Sequence, residues 1–171
     1  MIQKDREDYN ITLPRGQNFW IPDLVINACG YSVDNSISDN QAVVYNDGYY
    51  FETLSTGTAN LTITYGCQVQ RVYHITVIDA NIITLPDQLH TIEEDAFNGD
   101  IGMRFIRLGG NVQTVKSGAF ANTGDITIIV ENGNTVFESG AFSNANPLII
   151  CQNGSSVAWY CNGNRIPYLT Q

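Results

Sequence analysis

Three heptapeptides, EEDAFNG (Glu93–Gly99), KSGAFAN (Lys116–Asn122) and ESGAFSN (Glu138–Asn144), set the same Ala-Phe pair in nearly the same surroundings. The pairs Ala96-Phe97, Ala119-Phe120 and Ala141-Phe142 follow one another at 23 and then 22 residues. Their flanks recur too. Upstream, HTIEEDAF, QTVKSGAF and NTVFESGAF each carry a Thr followed by a β-branched residue, and downstream come the apolar runs RFIRL (from Arg104), DITIIV (from Asp125) and PLIIC (from Pro147). An earlier run, NIITLP from Asn81, opens the series. A fixed period of roughly 20–29 residues marks a chain built from stacked turns of a solenoid. One turn cannot bury its own apolar edge, so equivalent positions must stack. The small Ala lets the chain bend tightly, and Phe97, Phe120 and Phe142 are predicted to form an internal spine.

Composition bounds what such a chain can do. Hydrophobic residues supply 43% of the 171 positions, enough for a buried core, whereas charged residues supply only 15%. Asn, Gly, Thr and Ser fill the difference, a mixture that favours short strands and turns. The net charge of −9, with eight basic residues scattered singly, disfavours nucleic-acid binding, which needs a basic patch to replace phosphate counterions. No apolar run approaches the ~20 residues of a membrane-spanning helix. MIQKDREDYN at the N-terminus lacks the apolar core of a signal peptide, so export implies a signal removed ahead of this chain.

The Ala-Phe units resemble the BspA-like leucine-rich repeat, whose unit reads approximately I-x-x-x-A-F-x-x-C-x-x-L, and the likeness covers about residues 80–171. Where that family often carries a Cys after the Phe, this chain has Gly99, Thr123 and Ala145 nearby, so no internal cysteine ladder is expected. The tail CQNGSSVAWYCNGNRIPY, from Cys151, looks like the family's closing unit: a strand, a Gly-Ser turn and a short helix ending at an IPY-like stop. This implies a C-terminal cap on the solenoid.

The first half is patterned differently. QNFWI, LVINA, AVVY, YYFETL, NLTITY and VYHITVI are short β-type runs, with hairpin turns expected at Asn46-Asp47-Gly48 and Tyr65-Gly66-Cys67. In NLTITY, Leu61, Ile63 and Tyr65 alternate with Thr62 and Thr64, as in a strand with one face in the core. Gly57 to Thr62 and the closing HITVI resemble a bacterial immunoglobulin-like domain of group 2. The predicted architecture is therefore mainly β: an immunoglobulin-like β-sandwich over residues 1–79, then a short leucine-rich-repeat solenoid with a C-terminal cap over 80–171. An immunoglobulin-like sandwich would bring Cys29 and Cys67 to the same end, where they are expected to pair. Cys151 and Cys161 bracket the closing turn and are expected to form a shorter staple. Two disulfides fit an oxidising compartment, and four buried thiols are the alternative.

No catalytic, phosphate-binding or metal motif is present in the sequence, and no cofactor is expected. His74 and His90 are the two histidines, and both read as structural. Glu93-Glu94-Asp95 reads as the polar start of a short helical turn, and DNSISDN (Asp34–Asn40) as a loop without calcium-loop spacing. A binding surface is expected instead. Strand alternation that buries Ile106, Leu108, Ile126, Ile128, Val130, Leu148 and Ile150 turns Phe105, Arg107, Thr127, Ile129 and Ile149 outward as a candidate partner face. The resemblances imply a non-enzymatic interaction or adhesion module, extracellular or at the bacterial cell surface, whose partner is a host or bacterial surface protein or a glycan. The alternative is a carbohydrate-binding accessory module attached to an exported enzyme, using Trp20, Tyr49, Tyr50 or Trp159 as a sugar platform.

Overall fold

A computed structural model describes residues 6–21, 33–48, 50–65 and 69–171. The chain forms two compact units, Met1–Ala80 and Asn81–Gln171. Among the described residues the fold is mainly β, with one α-helix and several small sheets.

Among the described residues the first unit has seven strands: β1 (Arg6–Pro14), β2 (Asn18–Phe19), β3 (Val33–Ser38), β4 (Val44–Asn46), β5 (Phe51–Thr53), β6 (Gly57–Tyr65) and β7 (Gln70–Ile78). They form a four-stranded sheet in the order β1-β7-β6-β3 and a three-stranded sheet in the order β2-β5-β4. All pairings are antiparallel except β1 with β7, which run parallel through nine residue pairs. The alternation in β6 is as its residues demand, with Ala59, Leu61, Ile63 and Tyr65 buried and the intervening polar residues turned out. Thr53 ties the two sheets together: its hydroxyl donates to the Pro14 carbonyl at 2.8 Å and accepts from the Gln17 N–H at 2.8 Å. The Asn46-Asp47-Gly48 turn joins β4 to β5, with Gly48 at φ 104°. LVINA and the Gly66-Cys67 turn lie outside the described residues. The stretch from Asp34 is not a loop as its polarity suggested. It is most of β3, held against β6, because Ser36 and Asn46 satisfy each other inside (Asn46 Nδ2 donates to the Ser36 carbonyl at 2.7 Å).

The second unit alternates two kinds of strand. Five lie in one parallel sheet: β8 (Ile83–Thr84), β10 (Phe105–Leu108), β12 (Gly124–Val130), β14 (Ala145–Cys151) and the terminal β15 (Tyr168–Thr170). Three two-residue strands form a second parallel sheet: β9 (Thr91–Ile92), β11 (Thr114–Val115) and β13 (Val136–Phe137). The three heptapeptides are the turns leaving this second sheet. Phe97, Phe120 and Phe142 stack with centroids 5.2 and 5.9 Å apart and ring planes within 15°, and Phe137 and Tyr160 continue the row. Ala119 and Ala141 are buried because a neighbouring turn approaches there: the Phe97 N–H donates to the Ala119 carbonyl, and the Phe120 N–H to the Ala141 carbonyl, both at 2.8 Å.

Each turn needs two left-handed residues, which explains its composition. The residue before the Ala (Asp95, Gly118, Gly140) and the second after the Phe (Gly99, Asn122, Asn144) all have φ between 55° and 83°. Only Gly, and to a lesser degree Asn or Asp, adopts that conformation cheaply. At Gly118 a Cβ would also collide with the Asp95 carboxylate. Glu93-Glu94-Asp95 is thus a non-helical turn rather than the start of a helix.

The closing stretch forms α1 (Ser156–Asn164), capped by the Ser155 hydroxyl accepting the Ala158 N–H at 3.1 Å and ended by Arg165 at φ 57°. Val157, Ala158 and Cys161 dock on the core, and the chain then returns as β15 along β14.

Candidate functional site

Register assigns the strand faces in the second unit. Ile83, Ile106, Ile128 and Ile149 are successive partners across the parallel sheet, followed by Tyr168. Ile106, Leu108, Ile126, Ile128, Val130, Ile149 and Cys151 belong to the apolar core. Ile149 is therefore a core residue, not part of an outward stripe. Its register partner is Ile128, which puts Leu148 and Ile150 on the opposite face instead. Phe105, Thr127 and Ile129 do alternate away from that core, yet they are buried, at 3%, 5% and 0% exposure. Arg107 is half-buried and held by Glu131 at 3.1 Å. The expected partner face is thus not an accessible surface. Parallel strands buried on both sides read as continuous apolar runs, and ITIIV and LIIC carry that signal.

The accessible strand surface belongs to the shorter sheet. Ile92, Val115 and Phe137 point inward and are buried, so their neighbours face outward in two rows. One row is Thr91, Thr114 and Val136, with Val136 59% exposed. The other is Glu93, Lys116 and Glu138. The Lys116 ammonium meets the Glu93 carboxylate at 2.5 Å, while Glu138 accepts the Ser117 N–H at 3.1 Å. Hydrogen bonding and charge attraction from Glu93, with Glu138 and Glu94 adding, raise the lysine pKa above its ordinary value. Beside these rows runs an amide ladder: Asn144 Nδ2 donates to Asn122 Oδ1 at 3.2 Å, Asn122 Nδ2 to Asn98 Oδ1 at 2.8 Å, and Asn98 Nδ2 to Asp95 Oδ1 at 2.9 Å. Polar side chains repeated at strand spacing therefore fix one another without help from the core. None of these rows was singled out from sequence, although the Glu93, Lys116 and Glu138 positions are the first letters of the three heptapeptides.

The cysteines behave as core residues. Cys151, at the end of β14, and Cys161, on α1, are both free and buried, so the expected staple is absent. Each fills a small apolar space in the core. Cys29 and Cys67 lie outside the described residues. Burial, with Cys151 adding, pushes the Cys161 thiol up to about 12, and burial also raises Cys151. Both are protonated at neutral pH and poor nucleophiles. Because the folded pKa lies above the ordinary thiol value of 9.0, burying Cys161 carries no pH-dependent cost below pH 9, and stability falls as pH rises from 9 toward about 12. Native protein treated with iodoacetamide at pH 7.5 should show no label at either residue by peptide mapping, with full labelling in urea. Rapid native labelling of Cys161 would contradict its burial.

Of the expected sugar platform, Trp20 and Tyr50 meet edge-to-face in the first unit, with centroids 6.0 Å apart. Trp159 is 71% exposed on α1 in the second unit, and Tyr49 lies outside the described residues. His74 pairs with Asn60 at 2.6 Å and His90 with the Gln88 carbonyl at 2.7 Å, and neither approaches a constellation of catalytic type.

Residues 48–160 match the BspA type leucine rich repeat region, in six copies. The match begins in the β4–β5 hairpin of the first unit, ahead of the parallel strands that start at Ile83. No curated protein and no solved structure matches the chain. Repeats of this type are commonly surface protein-interaction modules, typically in surface or secreted bacterial proteins. No helix among the described residues is long and apolar enough to cross a membrane. On the strength of the repeat and its matched span, the chain belongs to the BspA type leucine-rich-repeat family.

Proposed function

We propose that this chain is a non-enzymatic interaction module of a secreted or surface-exposed bacterial protein, in which an immunoglobulin-like sandwich precedes a short leucine-rich-repeat solenoid closed by α1 and β15. The partner is a host or bacterial surface protein, bound on the outward face of β9, β11 and β13. The observation that carries this is a pair of outward rows, Thr91–Thr114–Val136 in strand register and Glu93–Lys116–Glu138 just beyond the strands, in which Val136, Glu93 and Glu138 are exposed and the rest half-buried. Side chains held at ~4.8 Å spacing on a sheet, with Lys116 already paired to Glu93, lose little entropy when a partner docks. An exposed Val beside alternating charges supplies an apolar contact with a polar rim.

A panel of purified extracellular-matrix and bacterial surface proteins, screened by surface plasmon resonance, tests this. At least one should bind, and Val136→Arg should weaken it about tenfold, a loss of about 1.4 kcal/mol, without lowering the melting temperature. Absence of any binder, or binding indifferent to both Val136→Arg and Lys116→Glu, would defeat the proposal.

A further inference from the structure

The three-stranded sheet of the first unit presents a second surface of different chemistry. Phe19 and Phe51 face inward, both buried and stacked at 5.4 Å. Alternation turns Asn18, Trp20, Tyr45, Tyr50 and Glu52 to the other side, with Asn18 opposite Glu52 and Glu52 opposite Tyr45. Trp20 is 40% and Tyr45 42% exposed, and Trp20 rests edge-to-face on Tyr50. Among the described residues, neither the indole N–H of Trp20, the hydroxyls of Tyr45 and Tyr50 nor the Glu52 carboxylate is hydrogen-bonded or ion-paired within the chain. β2, β4 and β5 contain no Lys or Arg.

We propose that this face binds a neutral glycan chain. A pyranose with equatorial hydroxyls offers an apolar C–H face that an aromatic ring covers, and a rim of hydroxyls that a carboxylate accepts in pairs. Trp20 and Tyr50 supply one ring platform and Tyr45 a second, with Glu52 between them to accept hydroxyls and Asn18 at the edge. Aromatic side chains fixed on a sheet have little rotamer freedom to lose. Other partners fit less well. A protein covering this patch would bury Glu52 without a cation on the sheet to match it, which is unfavourable. An acidic polysaccharide or nucleic acid meets Glu52, the adjacent Asp47 and a net charge of −9. This surface is independent of the strand rows on the second unit, and neither proposal requires the other.

Isothermal titration of the full chain with cellohexaose and chitohexaose, and with oligogalacturonate as an anionic control, tests it. At least one neutral oligosaccharide should bind, and Trp20→Ala, Tyr45→Ala and Glu52→Gln should each weaken it about tenfold or more, whereas Trp159→Ala should leave it unchanged. Tyr45→Ala and Glu52→Gln change outward side chains, so their melting temperatures should match the parent, keeping the test sound if Trp20→Ala folds poorly. No binding of either neutral oligosaccharide, preference for oligogalacturonate, or binding unaffected by Tyr45→Ala and Glu52→Gln would each overturn the proposal.

Discussion

Phe120→Ala should destabilise the second unit by about 3–5 kcal/mol, the usual range for emptying a buried aromatic site. Phe120 is 0% exposed and stacks on Phe97 at one side and Phe142 at the other. The cavity would open at the middle of three turns joined there by the Phe97–Ala119 and Phe120–Ala141 backbone hydrogen bonds, so neither outer turn can collapse into it without straining them. Phe142→Ala should cost less. Phe142 is only partly buried, and Phe137, which already touches it at 5.2 Å, can shift toward the space. Urea unfolding of both variants gives the comparison. Equal losses, or a larger loss for Phe142, would mean that the stack is a consequence of the backbone ladder and not a support for it.

Ile129→Ser should also be severe, about 3 kcal/mol or more, because it deletes buried apolar atoms and introduces a hydroxyl at a position closed to solvent. Ile129 is 0% exposed although it points away from the core that contains Ile128 and Val130. If that side of the sheet were an open surface, the same change would be nearly neutral. Thermal unfolding of Ile129→Ser beside Ile128→Ser distinguishes the two cases. Comparable losses are expected, and a parental melting temperature for Ile129→Ser would restore the outward stripe as an exposed face.

Much of the repeat was legible because it rests on single residues that nothing else can replace. A Phe in the same phase three times, behind an Ala small enough for a close turn, identifies stacked units without any strand assignment. The faces of the strands were less legible. Alternation decides inward from outward only where one side is wet, and LIIC gives equal support to either phase. The true phase follows from length: the strand partners Ile83, Ile106, Ile128 and Ile149 are separated by 23, 22 and 21 residues, so each turn is one shorter than the last. The third upstream flank carries one extra residue between its Thr and its Ala-Phe pair, so Val136 and not Thr135 is the partner of Thr114. Thr135 is buried instead, donating its hydroxyl to the Val112 carbonyl at 2.7 Å. The cysteine staple was misjudged for a related reason. Proximity in sequence across a turn says nothing about whether two thiols face each other or merely share a core. In the first unit, β3 was hidden by its polarity, since Ser36 is buried against Asn46 and not in water.

The progressive shortening of the turns bears on how such a protein can change. If all turns were equal, any one could be duplicated or deleted and its neighbours would still fit. Here each turn is matched to a particular predecessor and successor, so the units are not interchangeable parts. Copying the turn that contains Phe120 would set two equal lengths side by side, and deleting it would join lengths that differ by two residues. Either event leaves a connecting segment to absorb the mismatch, and connecting segments tolerate that better than strands do. Genetic gain or loss of whole turns is therefore constrained at the strands and free at the loops, where a descendant array would carry its scars.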